Sequence, residues 1–302
     1  MTILLTGGTG FVGRELIDKI EDCVLTSRNA TRAQQKLEVD PSRIIQWDPE
    51  NEPLELSDKS HFTAVINLMG DSIAEGRWTS SKKLRIRNSR VEGTRKLVDA
   101  LLARETLPSV FVSASAIGIY GDSGEDVVDE SHPHGSGFLT DVCEEWEAET
   151  TRLSERGVRV VCMRIGLVIG SQGGVIGKLA PIFRWGIGGP LGNGKQWMSW
   201  IHVQDLVSQI LWTIKTEAIQ GPLNATSPNP VRNREFTQSL AKAVGRPAFI
   251  PVPKFGLRIG VGEFANSLFF SQRVVPKLSL EHGFQFRFNH IDEAIQDVLA
   301  SS

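Results

Sequence analysis

The stretch that most restricts this chain is its first thirteen residues, MTILLTGGTGFVG. TILLT is a short apolar run rich in β-formers, and its unbroken hydrophobicity suits a central parallel strand covered on both faces. FVGRELIDKI then sets Phe11, Val12, Leu16, Ile17 and Ile20 at helical spacing. The glycines fall between strand and helix. Positions without side chains there allow a tight turn, close approach of a pyrophosphate and close packing of helix on strand. The helix start offers unpaired N–H groups and a positive dipole end to phosphate. Two registers fit: GTGFVG matches GxGxxG through Gly8, Gly10 and Gly13, and TGGTGFVG matches TGxxGxxG through Gly7, Gly10 and Gly13. No Walker lysine follows, which disfavours a nucleoside triphosphatase.

The next strand, CVLTSRN, bears on which dinucleotide fits. A ribose 2′-hydroxyl calls for an acidic residue about 20 residues past the first glycine. That place holds Ser27 and Arg28. A carboxylate repels a 2′-phosphate, whereas a hydroxyl and a guanidinium bind one through charge-assisted hydrogen bonds. The cofactor expected from these residues is NADP(H).

Further strands are predicted at RIIQW (43–47), FTAVINLMG (62–70), SVFVSASAIGIYG and VRVVCMRIGLVIG, with long helices at 79–103 and 138–156. Alternating strands and helices predict an α/β fold, a Rossmann-type doubly wound parallel sheet with ligands above the carboxyl ends of its strands. After Gly170 glycine and aromatic residues dominate, and prolines in RPAFIPVPKFGLRIGVG break any long helix. Residues 1–168 are therefore expected to form the dinucleotide domain, with 199–226 returning to it. Residues 169–198 and 227–302 are expected to form a smaller C-terminal α/β substrate domain.

Composition narrows the partners. At 302 residues with a net charge of -2, the chain has no global basic field for nucleic acid. No apolar run reaches the ~18 residues of a membrane span. Cys23, Cys143 and Cys162 have no metal-ligand or framework spacing, so neither a metal nor a disulfide is expected. The N-terminus lacks a basic region ahead of its short apolar run. A reduced compartment is the expectation: the cytoplasm, or an organelle after removal of a transit peptide.

These stretches, with INLMG, SASAIGIYGD, FLTDVCEEWEAE, GGPLGNGKQWMSWIHVQDL, LNATSPNPV and SQRVVPKLSLEHGFQF, resemble the extended, atypical short-chain dehydrogenases/reductases, and among them the epimerase-like family 39U. The likeness spans nearly the whole chain. It implies that Gly7, Thr9, Gly10, Phe11, Val12 and Gly13 surround the pyrophosphate and that Ser27 and Arg28 meet the 2′-phosphate. Leu68, Met69 and Gly70 then lie beside the adenosine ribose and phosphates, Arg90 near the cofactor, and Ile165 and Val168 near the nicotinamide. A homodimer through the two long helices is implied as well.

The family's chemistry normally uses Ser/Thr, Tyr and Lys. Ser115 matches the serine if one insertion follows it. The Tyr-xxx-Lys place reads Leu139-xxx-Cys143, and the sole tyrosine, Tyr120, matches a different loop. Lys195, Gln196, Trp197 and Trp200 flank the expected cavity for a small polar substrate. His202 in WIHVQDL either faces that cleft or marks a strand-to-helix junction braced by Asp205. Two readings follow: an NADP(H)-dependent oxidoreductase of altered catalysis acting on an unidentified small molecule, or a non-catalytic NADP(H)-binding regulator. The second fits the cell-division-inhibitor label of some cyanobacterial and plastid members, a resemblance that implies division machinery as the partner and the chloroplast stroma as the alternative location. Sugar-nucleotide epimerisation ranks behind both, because it leans on the missing pair.

Overall fold

A computed structural model describes residues 1–57, 60–171 and 173–301. Its centre is a seven-stranded parallel sheet: β1 (Ile3–Thr6), β2 (Cys23–Ser27), β3 (Ile44–Gln46), β4 (Ala64–Asn67), β5 (Val110–Ala116), β6 (Arg159–Ile165) and β7 (Gly221–Ala225). The spatial order is β7-β6-β5-β4-β1-β2-β3, so the strand order reverses between β1 and β4. In such sheets the crevice at the reversal is where ligands bind.

Both sheet faces are buried, as the continuous apolar runs require. Ile3, Leu5, Ala64, Ile66, Val110 and Val112 point to one side, against α1 (Phe11–Ile17) and α6 (Val203–Lys215). Leu4, Val65 and Phe111 point to the other, against α3 (Ser80–Leu102) and α4 (Phe138–Ser154). The period of two along each strand sorts the residues between these layers. Thr79 starts α3 by accepting a hydrogen bond from the Lys82 amide (3.2 Å).

Two local readings change. VRVVCMRIGLVIG is not one strand: β6 ends at Ile165, and Leu167–Gly170 pairs instead with Trp200–His202. A Cβ at Gly166 would lie 2.7 Å from the Ser199 carbonyl oxygen, so the chain turns where only a hydrogen fits. GPLNA, which reads as turn punctuation, is β7. Pro222 is tolerated because β7 is an edge strand, bonded on one side only.

A second core joins α5 (Gly174–Arg184), α7 (Asn233–Ala243) and α11 (Ile291–Ala300) through Ile176, Phe183, Trp200, Phe236, Leu240 and Ile295. Between them run α8 (Lys254–Val261), α9 (Phe264–Ser267) and α10 (Lys277–Glu281). The prolines prevent a long helix here, yet the short α8 forms directly after Pro253. Residues 271–275 tie this part to the sheet: Gln272 Nε2 donates to the carbonyls of Ile117 and Gly121, both at 2.8 Å. Among the described residues no helix is long and apolar enough to cross a membrane.

Candidate functional site

The loop between β1 and α1 is built from backbone. Gly7 has φ +72°, and a Cβ there would lie 2.5 Å from the Leu68 carbonyl oxygen. A Cβ on Gly13 would collide with the Gly7 carbonyl and the Gly8 backbone. The two positions bring α1 hard against the turn and the turn against the end of β4. The Gly10 amide donates to the Gly7 carbonyl (2.9 Å), and Lys36 Nζ donates to the Thr9 carbonyl (2.8 Å). No side chain caps α1, and no acidic residue sits in its first turn. The helix start therefore presents main-chain donors and a positive dipole end. The Phe11 ring packs on Gly170, Gly173 and Gly174, where any Cβ would meet it.

The other predicted cofactor residues gather at adjoining strand ends. Ser27 closes β2, and its Oγ donates to the Asn29 carbonyl (3.1 Å). Arg28 follows, exposed and loosely paired with Glu50 at 3.9 Å. Leu68 and Met69 follow β4: Leu68 packs on the core, and Met69 packs on Gly93 of α3. Arg90 lies over Gly70, with Nη1 donating to the carbonyls of Asp71 (3.0 Å) and Ile86 (3.1 Å). Its guanidinium carbon is 5.4 Å from the Trp146 ring centre. Ile165 ends β6, and Val168 lies on the short strand beyond it.

Ser115, near the end of β5, heads a side-chain cluster that is buried at Ser115, Tyr120 and Arg164 and reaches the surface at His134. Its Oγ donates to Glu147 Oε1 (2.6 Å). Arg164 of β6 grips the same carboxylate twice, Nε to Oε1 (3.0 Å) and Nη2 to Oε2 (2.9 Å). Arg164 Nη1 donates to the Tyr120 hydroxyl (2.9 Å), which donates to Asn224 Oδ1 (2.8 Å). Arg164 Nη2 also reaches His134 Nε2 (3.1 Å). A guanidinium only donates, so Nε2 accepts, and Nδ1 carries the hydrogen given to Glu144 (2.7 Å).

The electrostatics separate spectators from proton carriers. Burial pushes the Cys143 thiol up to about 12 and the Tyr120 phenol up to about 12. Neither group titrates near neutrality. Leu139 packs toward Gly118. Glu147 and Arg164 carry the cluster, and the sequence reading assigned neither a role. The signal was there in part: an arginine inside a buried parallel strand, as Arg164 is in RVVCMRI, has to be paired.

The predicted substrate residues do not all meet. Lys195 is exposed; Gln196 is buried, with Nε2 donating to the Leu191 carbonyl (3.3 Å). The guanidinium carbons of Arg232 and Arg273 lie 3.9 and 4.5 Å from the Trp197 ring centre, and its Nε1 donates to Glu125 (3.1 Å), so the ring is already engaged by two cations. Trp200 is not on a cleft wall but in the second core, its Nε1 donating to the Asn229 carbonyl (3.0 Å). His202 is likewise internal: it stacks on Phe288 at 3.9 Å, and its Nδ1 accepts from the Gln204 amide (3.2 Å) to cap α6. Burial depresses its pKa to about 4. Asp205 braces the junction by accepting from the amides of Arg287 (2.8 Å) and Phe288 (3.0 Å). Trp200 is thereby corrected from cleft wall to core, and of the two readings of His202 the strand-to-helix junction is the one seen, because WIHV completes a local sheet and core that buries both side chains.

Comparison with known proteins bears on the whole chain. The profile of the NAD dependent epimerase/dehydratase family matches residues 3–224, and a domain of unknown function, DUF1731, matches residues 252–298. The chloroplastic epimerase family protein SDR39U1 homolog of Arabidopsis thaliana is 38% identical over 303 residues, covering 99% of this chain and 87% of the relative. Epimerase family protein YfhF of Bacillus subtilis is 34% identical over 305 residues, covering 99% and 98%. The crystal structure of human epimerase family protein SDR39U1 (isoform 2) with NADPH superposes with a TM-score of 0.88 at 30% identity, covering all of both chains.

Proposed function

From the premise that the chain belongs to the NAD dependent epimerase/dehydratase family, we propose that it is an NADP(H)-binding oxidoreductase with altered proton handling, acting on a small polar molecule. The observation that carries this reading is the uncapped start of α1, closed by Gly7 and Gly13 and flanked by Ser27 and Arg28 rather than by an acid. The human relative solved with NADPH supports the same cofactor.

When bound, the nicotinamide supplies or accepts a hydride. In this reading the amides at the start of α1 hold the pyrophosphate, and Arg28 with Ser27 holds the 2′-phosphate. Ser115 orients a substrate oxygen, and the Glu147–Arg164 pair fixes the Ser115 hydroxyl. Leu139 has no proton to give, and the buried Cys143 thiol stays neutral.

Calorimetry tests the cofactor assignment. NADPH binds the wild type, and Arg28→Glu lowers that affinity by about 10-fold or more while sparing NADH. No heat from either dinucleotide overturns the reading. Loss of NADPH absorbance on adding a small carbonyl compound supports the oxidoreductase half.

A second reading rests on Leu139 and Cys143: an NADP(H)-binding regulator without chemistry, which contacts a protein partner such as division machinery. Its sign is a partner retained in a pull-down with NADPH and lost without it.

A further inference from the structure

Seven of the large apolar side chains that this chain leaves exposed lie in two segments: Ile182, Trp185 and Ile187 at the end of α5, and Phe249, Ile250, Phe255 and Ile259 along and before α8. The segments lie side by side. The Val252 amide donates to the Pro190 carbonyl (2.8 Å), and the Gly192 amide donates to the Val252 carbonyl (2.9 Å). Trp185 is 82% exposed, Phe249 77% and Phe255 76%, so these rings stand in solvent. A soluble surface seldom keeps such a cluster without a use for it.

α8 is the sharper anomaly. Leu257 and Val261 are only half-buried and no residue of the helix is fully buried, although most helical stability in proteins comes from packing an apolar face. Phe255 and Ile259 are four residues apart and share one face; Lys254 and Arg258 repeat the spacing beside them. Charge identifies the missing contact. Residues 176–190 and 245–262 hold five cations, Lys178, Arg184, Arg246, Lys254 and Arg258, and no Asp or Glu, in a chain whose net charge is -2. All five are exposed. A second copy docked on this patch would set cations against cations. Exposed Trp and Phe in the same two segments as exposed Lys and Arg have the composition of an interfacial surface on anionic lipid.

We infer that the α5 end and α8 form a peripheral docking face for an anionic bilayer surface, with the apolar side chains entering the headgroup layer and the cations meeting lipid phosphates. The inference does not depend on the cofactor.

Co-sedimentation of the full chain with vesicles tests it. Protein is expected to pellet with phosphatidylglycerol-containing vesicles and to stay in solution with pure phosphatidylcholine. Lys254→Gln/Arg258→Gln should weaken the partition about 30-fold, from roughly 1 kcal/mol per cation near such a surface. Phe255→Ser/Ile259→Ser should abolish it. Because all four substituted side chains are exposed, both double variants should keep the wild-type melting midpoint, which separates lost binding from lost folding. Three results overturn the inference: wild type free of both vesicle types; equal binding to both; or a concentration-dependent dimer, seen by ultracentrifugation, that Phe255→Ser/Ile259→Ser dissolves. In the first case, retention on polyglutamate would point instead to an acidic protein partner.

Discussion

The glycine loop and the Ser115 cluster both lie toward the carboxyl ends of strands in one sheet, yet they are built by opposite means. The loop is main chain, made from seven consecutive positions, Gly7 to Gly13. The cluster is side chain: Ser115, Tyr120, His134, Glu147, Arg164 and Asn224 come from separate elements and meet only when β5, β6, β7 and α4 assemble. A site of the first kind tolerates varied surroundings but no Cβ at its contact points. A site of the second kind fails when one partner is removed, because the remaining charges are already out of water.

Arg164→Ala breaks the second kind most severely. It leaves Glu147 without its ion pair in a largely buried place and should cost about 3–5 kcal/mol. Urea denaturation measures this, and folded Arg164→Ala protein should still bind NADPH. A cost under 1 kcal/mol would mean that water reaches Glu147 and that the cluster is not closed.

His202, outside both regions, supplies a control through pH. Its folded pKa of about 4 lies below the usual 6.5, so between these values the unfolded chain holds a proton that the native one does not. Stability then falls as pH drops from 6.5 toward 4, by up to about 3 kcal/mol for this group. Asp205 and Glu130, whose pKa values burial raises, act in the opposite sense. The comparison is therefore with His202→Gln, which should lose that part of the slope in midpoints measured from pH 4 to 7. An unchanged slope would return His202 to the surface of a cleft.

Gly13→Val tests the loop. The new side chain meets backbone, not a movable group, and should cost about 1–3 kcal/mol. It should also abolish the calorimetric signal with NADPH while the Ser115 cluster stays formed. Retained NADPH binding would show that close packing of α1 on the turn is dispensable.

Ser115→Ala is the mildest change. Glu147 keeps both bonds from Arg164, so about 1 kcal/mol is lost. A larger loss would make the hydroxyl a structural member of the cluster.

Much of the fold was legible because its determinants are local. The apolar strands, the glycine turn and the helices Ser80–Leu102 and Phe138–Ser154 declare themselves within a few residues. β7 was not legible, since Gly221 and Pro222 look like a turn until the sheet offers them an edge. Nor was the fate of Trp200, an aromatic that reads as cleft wall or as core; the junction of His202 and Asp205, by contrast, was readable in WIHVQDL.

By itself the sequence determined a doubly wound parallel sheet opening on a phosphate-sized glycine turn, because strand, turn and helix periodicities act over neighbouring residues. Only the tertiary structure decided that Glu147 and Arg164, seventeen residues apart in the chain, form one buried pair beneath Ser115, and that the Phe255–Ile259 face of α8 is left uncovered. Those facts depend on which surfaces meet, and burial is a property of the assembled layers that no short window of residues contains.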